Sequence, residues 1–326
     1  MSNSSYVYAS GRVSGLEESL LSKRIWNQLL TADDKDEVLR ILGETWYGTL
    51  LQVEKESGFE AALKGAVSLA EEELLELSDE PAFRDGILLR RDVRNARYIW
   101  KSFASGNDGE VEVEAAGLIP TDVLKRVWGD DLEVDSLPEL FKAALEEIQA
   151  LHSPAAVELD KILDKLAAKV ESNNLGQMTQ PVCTIPKVKI ELRNFLIASR
   201  NRSEELSPVV MQSMLFSGGY HSTSEVVEAL RTNKLPQLLQ ETAGFEMAAS
   251  ALEAGLESGS FLAFQRESDS MLLDILERAK SQMFSSGPLA AYVLARELET
   301  SHLKLIVAGK AAGIDTSRLT TRIPRG

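Results

Sequence analysis

The chain has 326 residues, 44% of them hydrophobic and 26% charged, the balance of a globular body and not of a disordered one. Its 50 Asp and Glu against 35 Lys and Arg give a formal charge of −15, a field that repels phosphate backbones and anionic membrane surfaces as direct partners. The single cysteine, Cys183, excludes an internal disulfide and a cysteine-rich metal site, and fits a reducing cytoplasm.

Aromatic residues make up only 6%, while Leu, Ala, Glu and Ser dominate, a usage that favours helices over sheets. The N-terminus, Met1 to Ser10, has no basic start followed by an apolar stretch, so no signal peptide is expected. No run approaches the roughly 18 apolar residues that a membrane span needs.

In chain order, a helix is expected over Val13 to Leu30. Thr31-Ala-Asp-Asp34 then reads as capping chemistry before Val38-Leu39-Arg40-Ile41-Leu42. From about Phe59 to Leu77, the residues Leu63, Val67, Ala70 and Leu74 keep an apolar stripe at helical spacing, which leaves Glu71-Glu72-Glu73 as a solvated face. A second long helix is expected from Arg84 to Phe103. Glu110-Val-Glu-Val-Glu114 alternates as a strand would, but is short and isolated, so a loop or frayed edge is expected. Further helices should cover Ala155 to Val170, Pro186 to Asn201, Leu235 to Leu256, Leu262 to Met283 and Leu289 to Ala312. Proline at Ser153-Pro154, Ser207-Pro208 and Gly287-Pro288 suits a first helical turn, and Ser222-Thr-Ser-Glu225 is a capping box before Val226 to Leu230.

Within this helical pattern one short acidic-x-x-polar element occurs three times, at spacings of roughly one hundred residues. It reads Asp92-Val-Arg-Asn95, Glu191-Leu-Arg-Asn194 and, more loosely, Glu299-Thr-Ser-His302. Each copy is followed by a glycine- or proline-marked turn: Leu118-Ile119-Pro120, Phe216-Ser-Gly-Gly-Tyr220 and Gly313-Ile314-Asp315. A short helix is expected after the first two. The third copy lies at the C-terminal end, so its packing should draw on another segment, and the N-terminal helix is the natural donor. So long a repeat indicates a small helical subdomain used three times, a scaffold more than a single catalytic pocket.

Catalytic and metal motifs are not found in the sequence. The three histidines, His152, His221 and His302, lack a second histidine at metal-binding spacing. Gly309-Lys310 fails as a phosphate loop, because Lys304 stands where glycine is required and Ala311 where a hydroxyl is required. No catalytic, cofactor or metal residues are therefore assigned. The one cluster that stands out is Arg90, Arg91, Arg94, Arg97 and Lys101, echoed by Arg193, Arg200 and Arg202. A solvated or carboxylate-paired face accounts for it. The sharper reading makes Arg91, Arg94, Arg97 and Lys101 a partner-binding patch for an acidic partner.

The repeat elements, the N-terminal Tyr6-Val-Tyr8-Ala-Ser-Gly-Arg12-Val13 with Thr45-Trp-Tyr-Gly48, and the C-terminal run from Ala291 to Ile314 resemble the C subunit of the V-type (archaeal-type) ATPase, the family of the eukaryotic d subunit. His302 stands where that family has asparagine, and Phe195-Leu196-Ile197 lacks its usual basic residue. The resemblance implies an all-α funnel of three similar helical subdomains with pseudo-threefold symmetry. The segments would be 1–44, closing the third repeat, then 45–130, 131–230 and 231–326 as repeats one, two and three. It implies a non-catalytic central-stalk subunit without cofactors that links central-shaft subunits to the membrane proteolipid rotor ring, peripheral on the cytoplasmic face. A free-standing helical-repeat adaptor and an all-helical enzyme with a buried acidic site are the competing readings.

Overall fold

A computed structural model describes residues 3–53, 58–78, 80–106, 113–126, 137–151, 155–204 and 206–324. Among the described residues the protein is all-α, with no strand. The helices are α1 (Asn3–Glu17), α2 (Lys23–Thr31), α3 (Lys35–Gly43), α4 (Tyr47–Val53), α5 (Gly58–Leu77), α6 (Pro81–Ala104), α7 (Thr121–Lys125), α8 (Glu139–Gln149), α9 (Ala156–Leu175) and α10 (Ile185–Arg200). They continue as α11 (Pro208–Met214), α12 (Thr223–Arg231), α13 (Leu235–Gln240), α14 (Glu246–Ser258), α15 (Leu262–Lys280), α16 (Gly287–Ala311) and α17 (Thr316–Arg322).

Local chemistry sets several helix ends. Ser207 accepts the Val210 amide at 3.3 Å beneath Pro208. Ser222 and Glu225 form the expected reciprocal cap, with Glu225 taking the Ser222 amide at 2.7 Å. The cap of α3 is Asp34, accepting the Glu37 amide at 2.9 Å, while Thr31 ends the preceding helix. Two expected helices are broken. The N-terminal one divides into α1 and α2, because Ser22 caps the second piece. The run from Leu235 to Leu256 divides into α13 and α14 around Gly244, whose φ of 89° no helix can hold. Val113 and Glu114 are not in a strand, and the rest of that candidate, like Ser153-Pro154 and His152, lies outside the described residues.

Six long helices form three antiparallel hairpins, α5–α6, α9–α10 and α15–α16. Cross-links such as Glu71 to Arg91, Glu171 to Lys189 and Asp269 to His302 give the antiparallel register. Between hairpins, α6 packs on α9, α10 on α15, and α16 back on α5, so the circuit of helix contacts closes. The three hairpin turns lie at one end. There Tyr6 of α1 donates to Glu80, Ser10 to the Met283 carbonyl, and Thr179 meets Gln282.

Three buried apolar clusters fill the body. One lies around Trp100, Phe141 and Leu163, between α6, α7, α8 and α9. A larger one joins α10 to α15 with the turn-end halves of α6, α9 and α16. The last joins both ends of the chain over α5, with Trp26, Leu29, Leu42 and Tyr47 against Leu63, Leu303, Ile306, Leu319 and Ile323.

Candidate functional site: three loop-holding joints and an axial cleft

Each acidic-x-x-polar element works as a joint that holds the chain just ahead of a short helix. In the first, the Asp92 Oδ2 on α6 accepts the amides of Leu118 and Ile119 at 2.9 and 3.1 Å, immediately before α7. One turn on, Asn95 accepts the Glu114 amide at 2.9 Å and donates to the Ala115 carbonyl at 3.3 Å. In the second, Glu191 accepts the amides of Tyr220 and His221 at 2.7 and 3.2 Å before α12. Asn194 exchanges both bonds with Phe216, at 2.7 and 2.8 Å. The spacing explains the residue types: a carboxylate takes two converging amides, while an amide one turn later mimics a strand partner.

The third joint draws its loop from the other end of the chain. The Glu299 Oε2 accepts the Leu21 amide at 2.7 Å, two positions before α2 and 278 residues away in sequence. Its other oxygen accepts the Tyr47 hydroxyl at 2.7 Å and an Arg296 N–H at 2.7 Å. Arg296, fully buried, also donates to Ser19 and stacks on Trp46. His302 does not hold a loop: its Nε2 meets Asp269 of α15 at 2.9 Å, and Arg322 bonds the same carboxylate at 2.5 Å. Burial works against the charge of Asp269, yet His302 and Arg322 hold its carboxyl below the ordinary range.

The joints differ in what faces the acid. Glu191 has His221 Nδ1 on its second oxygen. Glu299 has Arg296: burial pushes the Glu299 carboxyl up, and Arg296 pulls it back part of the way. Asp92 has no cation among the described residues, its Oδ1 is buried without a hydrogen-bond partner there, and burial lifts its carboxyl from 3.8 to about 6. Glycine makes room for the acid in two of the joints. A methyl group on Gly117 would overlap the Asp92 carboxylate and the Leu88 carbonyl, and one on Gly219 would overlap Glu191. The matching position in the third joint is Leu20, packed on the large core.

The four basic residues singled out in the sequence are all held by carboxylates of this chain. Arg91 is 4% exposed and bonds Glu71 at 2.6 Å. Arg94 bridges Glu71 at 2.9 Å and Glu114 at 2.7 Å. Arg97 bonds Asp160 and Asp164, and Lys101 bonds Asp160, each within 2.9 Å. Glu71 therefore corrects the expectation of a solvated acidic face: its side chain is wholly buried, because α6 brings two guanidiniums over it. Arg94 and Arg97 nevertheless face a cleft of about 410 Å³ that Arg91 and Lys101 do not line. It is bounded by α6, α9, α10 and Glu297 of α16. Arg90, Lys189 and Glu297 in its wall sit two residues before the acid of each joint, a shared offset that periodicity alone could have flagged.

The profile described as "ATP synthase (C/AC39) subunit" matches residues 9–322, and the chain belongs to this family. Among its relatives, the C subunit of the V-type sodium ATPase from Enterococcus hirae is 23% identical over 317 residues, covering 95% of each chain. The C subunit of the A-type ATP synthase from Methanocaldococcus jannaschii is 22% identical over 347 residues, covering 94% of this chain and 82% of its own. No helix of the described residues is long and apolar enough to cross a membrane.

Proposed function

We propose that this protein is the non-catalytic coupling subunit of a rotary V/A-type ATPase, seated between the central shaft and the proteolipid ring and transmitting torque between them. The observation that carries the reading is the family match running from residue 9 to residue 322, through all three joints. On this reading the three hairpins, with their loops and short helices, are three subdomains around a pseudo-threefold axis, in a funnel-shaped body. The segments would be 45–130, 131–230 and 231–326, with 1–44 completing the third; the bond from Leu21 to Glu299 supports that last assignment. The protein works from the cytoplasmic side, peripheral to the membrane through its complex.

A coupler must not slip under load. Densely packed helices transmit strain, and the joints here tie loops to long helices through bonds to buried carboxylates. Of the proposed partner-facing residues, Arg94 and Arg97 would meet a partner in the cleft they line, whereas Lys101 is outside it. Arg91 supports them through Glu71.

The test is native mass spectrometry of detergent-solubilised membranes from cells carrying a tagged copy. One copy recovered with shaft subunits and a proteolipid ring is the expected result. Recovery of the chain only from soluble fractions, without ATPase subunits, would overturn the proposal.

A further inference from the structure

The third joint differs from the other two in what lies beside its polar residue. In the first, Asn95 takes the Glu114 amide, four residues before the Leu118 amide that Asp92 takes. In the second, Asn194 takes the Phe216 amide, four residues before that of Tyr220 on Glu191. Both joints therefore lay a stretch of non-helical chain along the acid-bearing helix. The same offset before Leu21 falls on Glu17, the last residue of α1. Helix α1 leads away to the hairpin turns, where Tyr6 meets Glu80 and Ser10 meets the Met283 carbonyl. No such stretch reaches the His302 side chain among the described residues.

An open groove of about 760 Å³ lies there, between α2, α15 and α16. Its apolar lining includes Leu21, Trp26, Leu273, Leu276 and Leu298, and His302 lies in its wall. The groove is separate from the axial cleft: Glu297 lines the cleft, whereas Leu298, Glu299 and His302 turn to the groove. Along α15 it runs from Ser270 to Lys280, about 15 Å at the helical rise, the span of four or five extended residues. Trp26 stands four residues after the cap Ser22, as Val226 does after Ser222, and its ring meets His302 edge-on at 6.0 Å. One edge of the groove is acidic. Glu17 and Glu277 share Lys280, at 3.4 and 3.3 Å, and the exposed Asp274 has no cation among the described residues. The buried Glu17 Oε1 accepts no hydrogen bond there, and Lys23 of α2 pairs with none of the three acids.

We propose that this groove docks an extended segment of a partner protein, apolar where it meets Trp26 and Leu276 and basic where it passes Asp274 and Glu277. The first two joints supply the precedent, because each fills the place beside its polar residue with non-helical chain. The carboxylates of Glu17, Asp274 and Glu277, with one ammonium between them, set the sign of the partner's charge. The assignment does not depend on the coupling function proposed above.

The experiment is a fluorescence-anisotropy titration of the full-length chain into a labelled synthetic peptide. The peptide copies Ser213 to Ser222, the stretch that fills the second joint, and ends in two added arginines. Saturable binding is expected, and a peptide ending in two glutamates should bind about tenfold more weakly or worse. Reversing the exposed acids, Asp274→Lys with Glu277→Lys, should weaken the arginine peptide to a similar degree. Ser270→Trp, which narrows the groove without touching its charges, should also weaken binding of the arginine peptide. Arg231→Glu, on the exposed face of α12, should bind as the wild type does. Failure of the wild type to bind the arginine peptide, or equal binding by the wild type and both groove variants, would overturn the proposal. Binding that appears only after Arg325 and Gly326 are removed would assign the groove to this chain's own end and overturn the partner assignment. Self-association that both groove variants abolish would assign it to a second copy, with the same consequence.

Discussion

The first and third joints do the same work under opposite electrostatic conditions. Asp92 and Glu299 are both buried carboxylates that accept backbone amides ahead of a short helix, yet Glu299 is surrounded by Arg296, Tyr47 and Ser19, and Asp92 has amides alone among the described residues. The difference follows from what each joint ties together. The first holds a loop 26 residues on in sequence, so its closure costs less. The third joins two ends of the chain, and its loop closure carries a larger entropic cost that a charge-assisted network offsets.

Removing the cation of the third joint should have the largest effect. Arg296→Met leaves Glu299 buried and unpaired, and chemical denaturation should show a loss of about 3–5 kcal/mol. An unchanged midpoint would mean that the ionic network does not secure the junction of the two chain ends. Next come the glycines of the other two joints. Gly117→Ala and Gly219→Ala each force a methyl group against a buried acid, and thermal unfolding should register a loss of up to about 3 kcal/mol. Equal tolerance at both sites would show that the loops yield easily and that the close approach has little energetic weight.

The polar member of the element gives a smaller contrast. Asn194→Ala should cost about 2 kcal/mol, because both groups of Phe216 that it satisfies are buried. Asn95→Ala should cost less, its bonds to the Glu114 and Ala115 carbonyls being longer and partly exposed. Urea titration of the pair reads the difference directly, and a reversed order would contradict the joint geometry.

A further contrast depends on pH. The Asp92 carboxyl titrates at about 6 in the folded chain against an ordinary 3.8. Its protonated form favours folding, so that contribution is complete below the ordinary value and is lost as pH rises through about 6. Asp92→Asn keeps an acceptor for the two amides and removes the titration. Stability of the variant relative to wild type should therefore grow from acid pH to neutrality and then level off. A constant difference across that range would show that Asp92 is not the titrating group.

Much of this organisation was legible in the sequence because it rests on local patterns. Helical periodicity placed the long helices to within a few residues, and the acidic-x-x-polar spacing marked all three joints. The C-terminal position of the third copy suggested the N-terminal helix as a donor to its packing, and Leu21 bonds Glu299. What stayed hidden depends on which helix arrives opposite. Glu71 sits in a run that any surface helix could carry, and only the approach of Arg91 and Arg94 buries it. In the same way, Arg90 and Arg91 are neighbours in sequence but are turned to different partners, Glu297 and Glu71. His302, at the amide position of the third element, turned to Asp269 because α15 supplies a carboxylate there.

The bond between Leu21 and Glu299 also sets an order of events during synthesis. Residues around Trp26, Leu42 and Tyr47 leave the ribosome long before the Leu303, Ile306 and Leu319 that complete their core. Until then the early segment has only Leu63 and Ala66 of α5 to pack on, and apolar side chains left exposed invite chaperone binding or misassociation. The nascent chain can build its middle while translation continues, but the unit formed by its two ends can close only after α16 has emerged.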